Sequence, residues 1–431
     1  LLALICLVIS TRSFAADSTL LYNAVVHTGA GVTYTNSGVL IEGGRISLVL
    51  NGKISQRLTV HEMVDLKGQH IYPGLIAVDS ALGLTEIGAV RASDDTTEVG
   101  DYTPDVESWV AVNPDSELLP VARANGIAYF EAIPSGGVVA GQSGLMAMSG
   151  WTYEQMAVKK PVALHVFWPA MDLNLTPKEK SPDKEKWKSL DDQAKERRAK
   201  LRALADFFDE ARAYAKAKDA ATNGSAPEKI PAWEAMLPYA HGELPLVIHA
   251  DEARQIKSAV EWASTNHFKA YIAGGRDAWM VAGLLASNSI PVLYEHTFTQ
   301  PVRDTESYDV HFGAPEVLRA AGVKVLFSMG SGSFSAAMAR NLPYSAAQAI
   351  AFGLPEEEAL KGITFYPAEL MGVADRLGTI EAGKEATLLV CDGDIFDIRS
   401  NVRRMWIAGK EVGLESRHTK LYEKYKNRPK L

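Results

Sequence analysis

The chain has 431 residues, 47% of them hydrophobic, enough for one large barrel or two ordinary domains with a sizeable core, which sets disorder aside. Its formal net charge of -8 gives no general attraction to nucleic acid or to an anionic lipid surface, so neither is expected as a partner.

Residues 1–16, LLALICLVISTRSFAA, join an apolar run to Ser13-Phe14-Ala15 just ahead of Asp17. This is the pattern of a secretory signal with a small-residue cleavage site, and it is too short to span a bilayer. It begins without a methionine or a basic segment, so the expectation is a signal whose start is missing and a chain that is exported, periplasmic or secreted. A buried terminal strand or helix is the alternative. No later segment approaches membrane-spanning length, so no membrane is expected once the signal is removed. Cleavage near Ala15 removes Cys6 and leaves Cys391, whose setting in Leu388-Leu389-Val390-Cys391 fits a buried strand residue better than a catalytic thiol.

Residues 17–72 read as short strands and turns, with glycine pairs and alternating apolar positions, which predicts a small antiparallel sheet. The same character returns over residues 378–418. Between them, residues 73–377 alternate short apolar strands with helical stretches, as a (β/α)8 TIM-like barrel does. Its strands are expected to end near Asp79, Ile133, Met148, His165, His249, Ala273, His296 and Ser328. A charged stretch at about 172–240 reads as a helical insertion after the fourth strand, with a start at Thr176-Pro177-Lys178-Glu179 and an apolar stripe of Leu201, Leu204, Phe207 and Phe208. Residues 419–431 form a basic, solvated tail.

Side chains at the C-terminal ends of barrel strands can converge on one point, so the polar residues there are the site candidates. His249 ends Leu246-Val247-Ile248-His249, and Asp251 two residues on projects to the same side; a helix cap is the plain alternative for Asp251. His165 ends the fourth strand, as a ligand or as a core histidine. Glu295 and His296 are adjacent, so only one of them faces inward unless the strand has already ended. Glu131 is the single charge on its strand and points to the barrel mouth or sits at an edge. Asp79 ends the first strand. A divalent ion such as zinc held by His249, His165, Asp79, and His296 or Glu295 is one expectation; a chain with no metal is the other. Asp251 and Glu131 are the candidate proton-transfer residues.

Ile71-Tyr72-Pro73-Gly74-Leu75-Ile76 resembles the entry to the barrel of the amidohydrolase superfamily, and the opening Asn23-Ala24-Val25-Val26-His27-Thr28-Gly29 and the closing Gly378-to-Val390 run are similar to that family's as well. Asn113 to Leu118, the glycine-rich stretch Pro134 to Gly144, and Gly150-Trp151-Thr152 resemble an exported, imidazolonepropionase-like subgroup with degenerate metal-ligand motifs. The resemblance implies a composite β-sandwich built from both chain ends and gives His249 the place of the strand-five histidine ligand. It also marks departures. Asp79 and Ala81 stand where the family has His-any-His, Ala273-Gly274 stands where it has a strand-six histidine, and no carboxylate lies near Ser328, where it has an aspartate.

What the resemblance implies is hydrolysis of carbon–nitrogen bonds other than peptide bonds, such as those of cyclic amides, by metal-activated water on a small-molecule substrate. The competing expectation is a catalytically degenerate exported binding protein on the same scaffold. Metal-independent hydrolysis with Glu131 or Asp251 as base ranks third, since the sequence offers no matching electrophile. A homodimer is the default expectation for assembly.

Overall fold

The computed structural model describes residues 18–52, 60–221 and 227–429, so the expected signal at 1–16 lies outside the described residues. Its sixteen strands are β1 Ser18–His27, β2 Thr33–Glu42, β3 Arg45–Val49, β4 Glu62–Asp65, β5 His70–Pro73, β6 Leu75–Ser80, β7 Ile127–Ala132, β8 Val139–Ala147, β9 Ala157–Phe167, β10 Leu246–Ala250, β11 Ala270–Gly274, β12 Val292–Tyr294, β13 Val325–Phe327, β14 Leu388–Cys391, β15 Val402–Ile407 and β16 Lys410–Glu411. They form two eight-stranded sheets.

Strands β6 to β13 follow one another in sequence order around a barrel. A parallel bridge from Val78 to Ser328 brings the first strand to the last. Six of these strands are mainly apolar runs, as expected when both faces are covered, while β8 is interrupted by Gly141 to Gly144 and β9 by Lys159 and Lys160. The core is filled by residues with no exposure, among them Ile76, Phe130, Leu164, Ile248, Ile272, Leu293 and Phe327.

The barrel departs from a regular (β/α)8 at its third strand. β8 runs antiparallel to both β7 and β9. Only residues 133–138 separate β7 from β8, and a parallel return needs a crossover of a dozen residues or more. The chain therefore turns back on itself, and Met148, expected at the open end, lies at the opposite one, where its carbonyl accepts from Arg123 Nη1 at 2.7 Å. Residues 102–107 pair in parallel with the first half of β8, bridging Tyr102 to Val139 and Glu107 to Gln142, and Trp109 packs on Gly144. Gly144 makes this possible, since a Cβ there would stand 2.9 Å from the Trp109 ring.

The other sheet contains β1 to β5 and β14 to β16, so both chain ends build it. Its β3 edge closes on the segment leading into β14: Ile46 N donates to Lys384 O and Ala386 N to Gly44 O, each at 2.9 Å. The enclosed core includes Leu21, Val26, Ile41, Ile46, Ile71, Leu388, Val390 and Trp406, and Cys391 is buried on β14. Gly74 is the joint to the barrel, its N–H bonded to Thr387 O at 3.1 Å.

The charged segment after β9 contains the helices Leu190–Asp219 and Pro231–Ala240. Leu204 and Phe208 are buried, with Leu201 and Phe207 packed beside them. The helix does not start at Thr176; only a short turn, Lys178–Lys180, forms there. Pro182 disfavours helical backbone at Ser181, which is extended, and the long helix waits for Ser189, whose side chain accepts from Asp192 N. The described part of the C-terminal tail carries a helix, Arg417–Lys426, with no buried residue. Among the described residues no helix is long and apolar enough to cross a membrane.

Candidate functional site

Asp79, Glu131, His165 and His249 come from β6, β7, β9 and β10 and meet inside the barrel. Asp79, Glu131 and His165 are completely buried, whereas the side chains of His249, His296 and Asp251 are 11%, 16% and 46% exposed. Depth thus runs from a closed floor to an open mouth.

Glu131 organises the floor. Its Oε2 accepts the backbone N–H of Asp79 at 3.0 Å, and its Oε1 accepts the Ser143 hydroxyl at 2.7 Å and faces His165 Nε2 at 3.3 Å. Burial pushes its pKa up, but the bonds from His165, Asp79 and Ser143 outweigh this and leave the carboxyl below its ordinary value. With Nε2 turned to Glu131, His165 presents Nδ1 to the cavity, 3.0 Å from His249 Nε2. That pairing of a histidine with a carboxylate behind it is how metal-binding imidazoles are oriented.

Asp79 reaches this cluster through a backbone irregularity. The pairing of β6 with β7 gains a residue between Ala77 and Ser80, and Asp79 takes φ 51°, in the left-handed region. Such a bulge re-aims a side chain next to a site, so simple alternation does not govern residues 79–81. One carboxylate oxygen of Asp79 lies 3.9 Å from His249 Nε2. Neither oxygen has a hydrogen-bond donor, unless one of the carboxyls of Asp79 and its neighbour Glu295 is protonated and donates to the other. Burial, then the negative charge of Glu295, raises the Asp79 pKa well above the carboxylate range.

Asp79, His165 and His249 offer ligand atoms that all lie within 4.8 Å of one another. The donor set fits a divalent cation: two imidazoles, one of them with its pKa driven well down by burial and by His165, and a carboxylate whose oxygens lack partners. A positive charge would also relieve the Asp79–Glu295 repulsion.

Of the three remaining candidates, Glu295 and His296 are adjacent yet both turn into the barrel, contrary to strict alternation. β12 ends at Tyr294, so Glu295 and His296 lie beyond the ladder that would force them to opposite sides. Glu295 turns to Asp79, while His296 Nε2 pairs with Asp251 Oδ1 at 2.8 Å. Asp251 is not the cap of the next helix; Glu252 is, in a reciprocal capping box with Gln255. Burial raises the Asp251 pKa, and the stronger pull of His296 and the Arg276 backbone brings it below the ordinary value.

Gly274 leaves room for this pair. Its φ is 85°, and a Cβ there would come within 2.6 Å of Asp251 Oδ1. The expected lack of a strand-six imidazole thus has a steric counterpart. Near the end of β13, Ser328 occupies the region where a carboxylate was missing, and its hydroxyl donates to Val78 O at 3.2 Å, fastening the barrel seam.

Sequence reasoning missed Ser143, which sits in the glycine-rich stretch Pro134 to Gly144 and lies on β8, and Thr299, which bonds His296 Nδ1 at 3.0 Å. A hydroxyl at an inward position of an apolar strand was the available signal for Ser143. Nothing local marked Thr299.

The sequence profile of the amidohydrolase family matches residues 153–412, more than half of the chain. A curated amidohydrolase of Hapsidospora irregularis is 21% identical over 91% of this chain, which spans only 43% of that relative's length. Imidazolonepropionase of Brucella suis is 27% identical over 150 residues, 35% of this chain and 36% of that one. The crystal structure of an amidohydrolase from Thermotoga maritima MSB8 superposes with a TM-score of 0.78 at 25% identity, covering 92% of this chain and 99% of that chain.

Proposed function

The chain belongs to the amidohydrolase family, and from that membership and the geometry of the cluster we propose that it hydrolyses carbon–nitrogen bonds other than peptide bonds, those of cyclic amides among them, with a divalent metal held by Asp79, His165 and His249. The observation that carries this reading is the meeting of three ligand atoms within 4.8 Å, one of them from an Asp79 carboxyl whose only polar side-chain neighbour outside the set that can bond it, among the described residues, is another acid, Glu295. Such an ion, when bound, lowers the pKa of a water to about 7 and polarises a carbonyl.

The rest of the reaction falls to side chains of this chain. Glu131 fixes the His165 ring and the Asp79 backbone, so the ligand atoms are held before any substrate arrives. Asp251, exposed at the mouth and hydrogen-bonded to His296, accepts the proton of the attacking water, and the Asp251–His296 pair returns it to the departing nitrogen. Thr299 on the far ring nitrogen of His296 keeps that imidazole in place for the transfer.

The test is metal analysis combined with assay. Purified protein should carry zinc or manganese at about one equivalent or more per chain, and should hydrolyse members of a panel of cyclic amides; His249→Ala should lose metal and activity together. A stable protein that takes up no metal and hydrolyses nothing in the panel would instead support a binding protein on the same scaffold.

A further inference from the structure

A cavity of about 710 Å³ lies between the outer helices of the barrel and the terminal sheet, within the size range of small-molecule sites, and no residue of the metal cluster lines it. Its apolar and aromatic side chains are Phe298 from the loop after β12, Tyr344 from the helix Leu342–Ala351, and Phe396 and Ile398 from the segment after β14, and the amides of Asn341 and Gln348 stand among them. Three carboxylates line it, Glu356, Asp394 and Asp397, of which Asp397 is paired with Arg399.

Glu356 and Asp394 share this lining. Lys361 is engaged with Glu358, Arg399 with Asp397, and His27, which feels the charge of Asp394, with His70 and Thr33; among the described residues neither Glu356 nor Asp394 has an ion-pair partner. Asp394 Oδ1 accepts from Phe396 N at 3.0 Å and Tyr72 Oη at 3.4 Å, which leaves Oδ2 for another donor. A bare metal ion is a poorer fit, because hard cations gather six or more oxygens and the unpaired carboxylates here number two, Asp397 being held by Arg399.

We propose that this cavity binds an organic cation, an ammonium group on an apolar or aromatic body, with the charge between Glu356 and Asp394 and the body against Phe298, Tyr344 and Phe396. Ammonium groups are drawn both to carboxylates and to the faces of aromatic rings, and this cavity supplies the two together. The occupant touches a segment with a bearing on the barrel mouth. Phe298 lies two residues past His296, and the intervening Thr297 is hydrogen-bonded to Ser345 beside Tyr344.

Binding of phenethylamine hydrochloride and of its neutral counterpart phenethyl alcohol, each measured calorimetrically on the full chain at neutral pH, tests this. The amine should saturate a single site, with the alcohol about tenfold weaker or more. Ile398→Lys, at a side chain 75% exposed, places a like charge on the rim without disturbing the core and should weaken the amine about tenfold. Glu356→Gln should do the same and leave the alcohol unchanged, and His249→Ala should leave amine binding intact. Equal affinity for the two probes, no saturable amine binding, indifference to Ile398→Lys or Glu356→Gln, or loss of the amine site in His249→Ala would each overturn the proposal.

Discussion

His165 Nδ1 and His249 Nε2 stand 3.0 Å apart in the barrel, two ring nitrogens that share a single proton when no cation separates them. The far nitrogen of His165 is committed to Glu131, so the pair cannot be relieved by turning that ring over. Replacing Glu131 therefore tests the arrangement without removing a ligand. Glu131→Gln keeps the shape but loses the charge, and metal affinity, measured by competition with a chelator, should fall about 10- to 100-fold. Far-ultraviolet circular dichroism should show the fold retained; unchanged affinity would mean the carboxylate plays no orienting part.

Asp251 and His296 act as a unit if their 2.8 Å contact carries the proton. Asp251→Asn and His296→Gln should each lower kcat about 100-fold or more with metal content unchanged. The double variant should be little worse than either single one. Losses that multiply would assign the two residues to separate steps.

Gly274 is required both for its φ of 85° and for the space that Asp251 occupies. Gly274→Ala should cost more than about 1 kcal/mol in urea-unfolding stability, since an L side chain is strained there. It should also depress activity more than stability alone explains. An active, equally stable Gly274→Ala protein would contradict the steric reading.

The terminal sheet carries a pH dependence of its own. His27 stacks on Tyr72, bonds His70 and Thr33, and has its pKa lowered to about 4 by burial and by His70, with Asp394 opposing. Its unfolded value is near 6.5, so between about 6.5 and 4 the unfolded chain binds a proton that the folded one refuses. Stability should be unaffected by this group above that window and should fall as the pH drops through it. His27→Gln should flatten the urea midpoint between pH 7 and 4.5; a slope identical to that of the parent would assign the acid sensitivity elsewhere.

Several parts of this protein could be read directly from its residues. Apolar runs marked the barrel strands to within two residues at their ends, because a strand covered on both faces must be apolar along its whole length. The two terminal segments shared a strand-and-turn character before any contact between them was visible. His249, His165 and Asp79 were legible as candidates because they close such runs with polar groups.

The direction of β8, the partners of each site residue and the role of Glu131 were settled only in three dimensions. The expected (β/α)8 pattern placed β8 parallel to its neighbours, whereas the six residues between β7 and β8 are too few for that return and the strand pairs antiparallel on both sides. The bulge at Asp79 and the early end of β12 override the alternation from which side-chain direction is inferred, and both are products of pairing between distant strands. Residue type and local spacing set what each segment can form and which groups can do chemistry. Which of those groups touch depends on barrel closure, which brings Asp79 and His249, 170 positions apart in the chain, to within 3.9 Å.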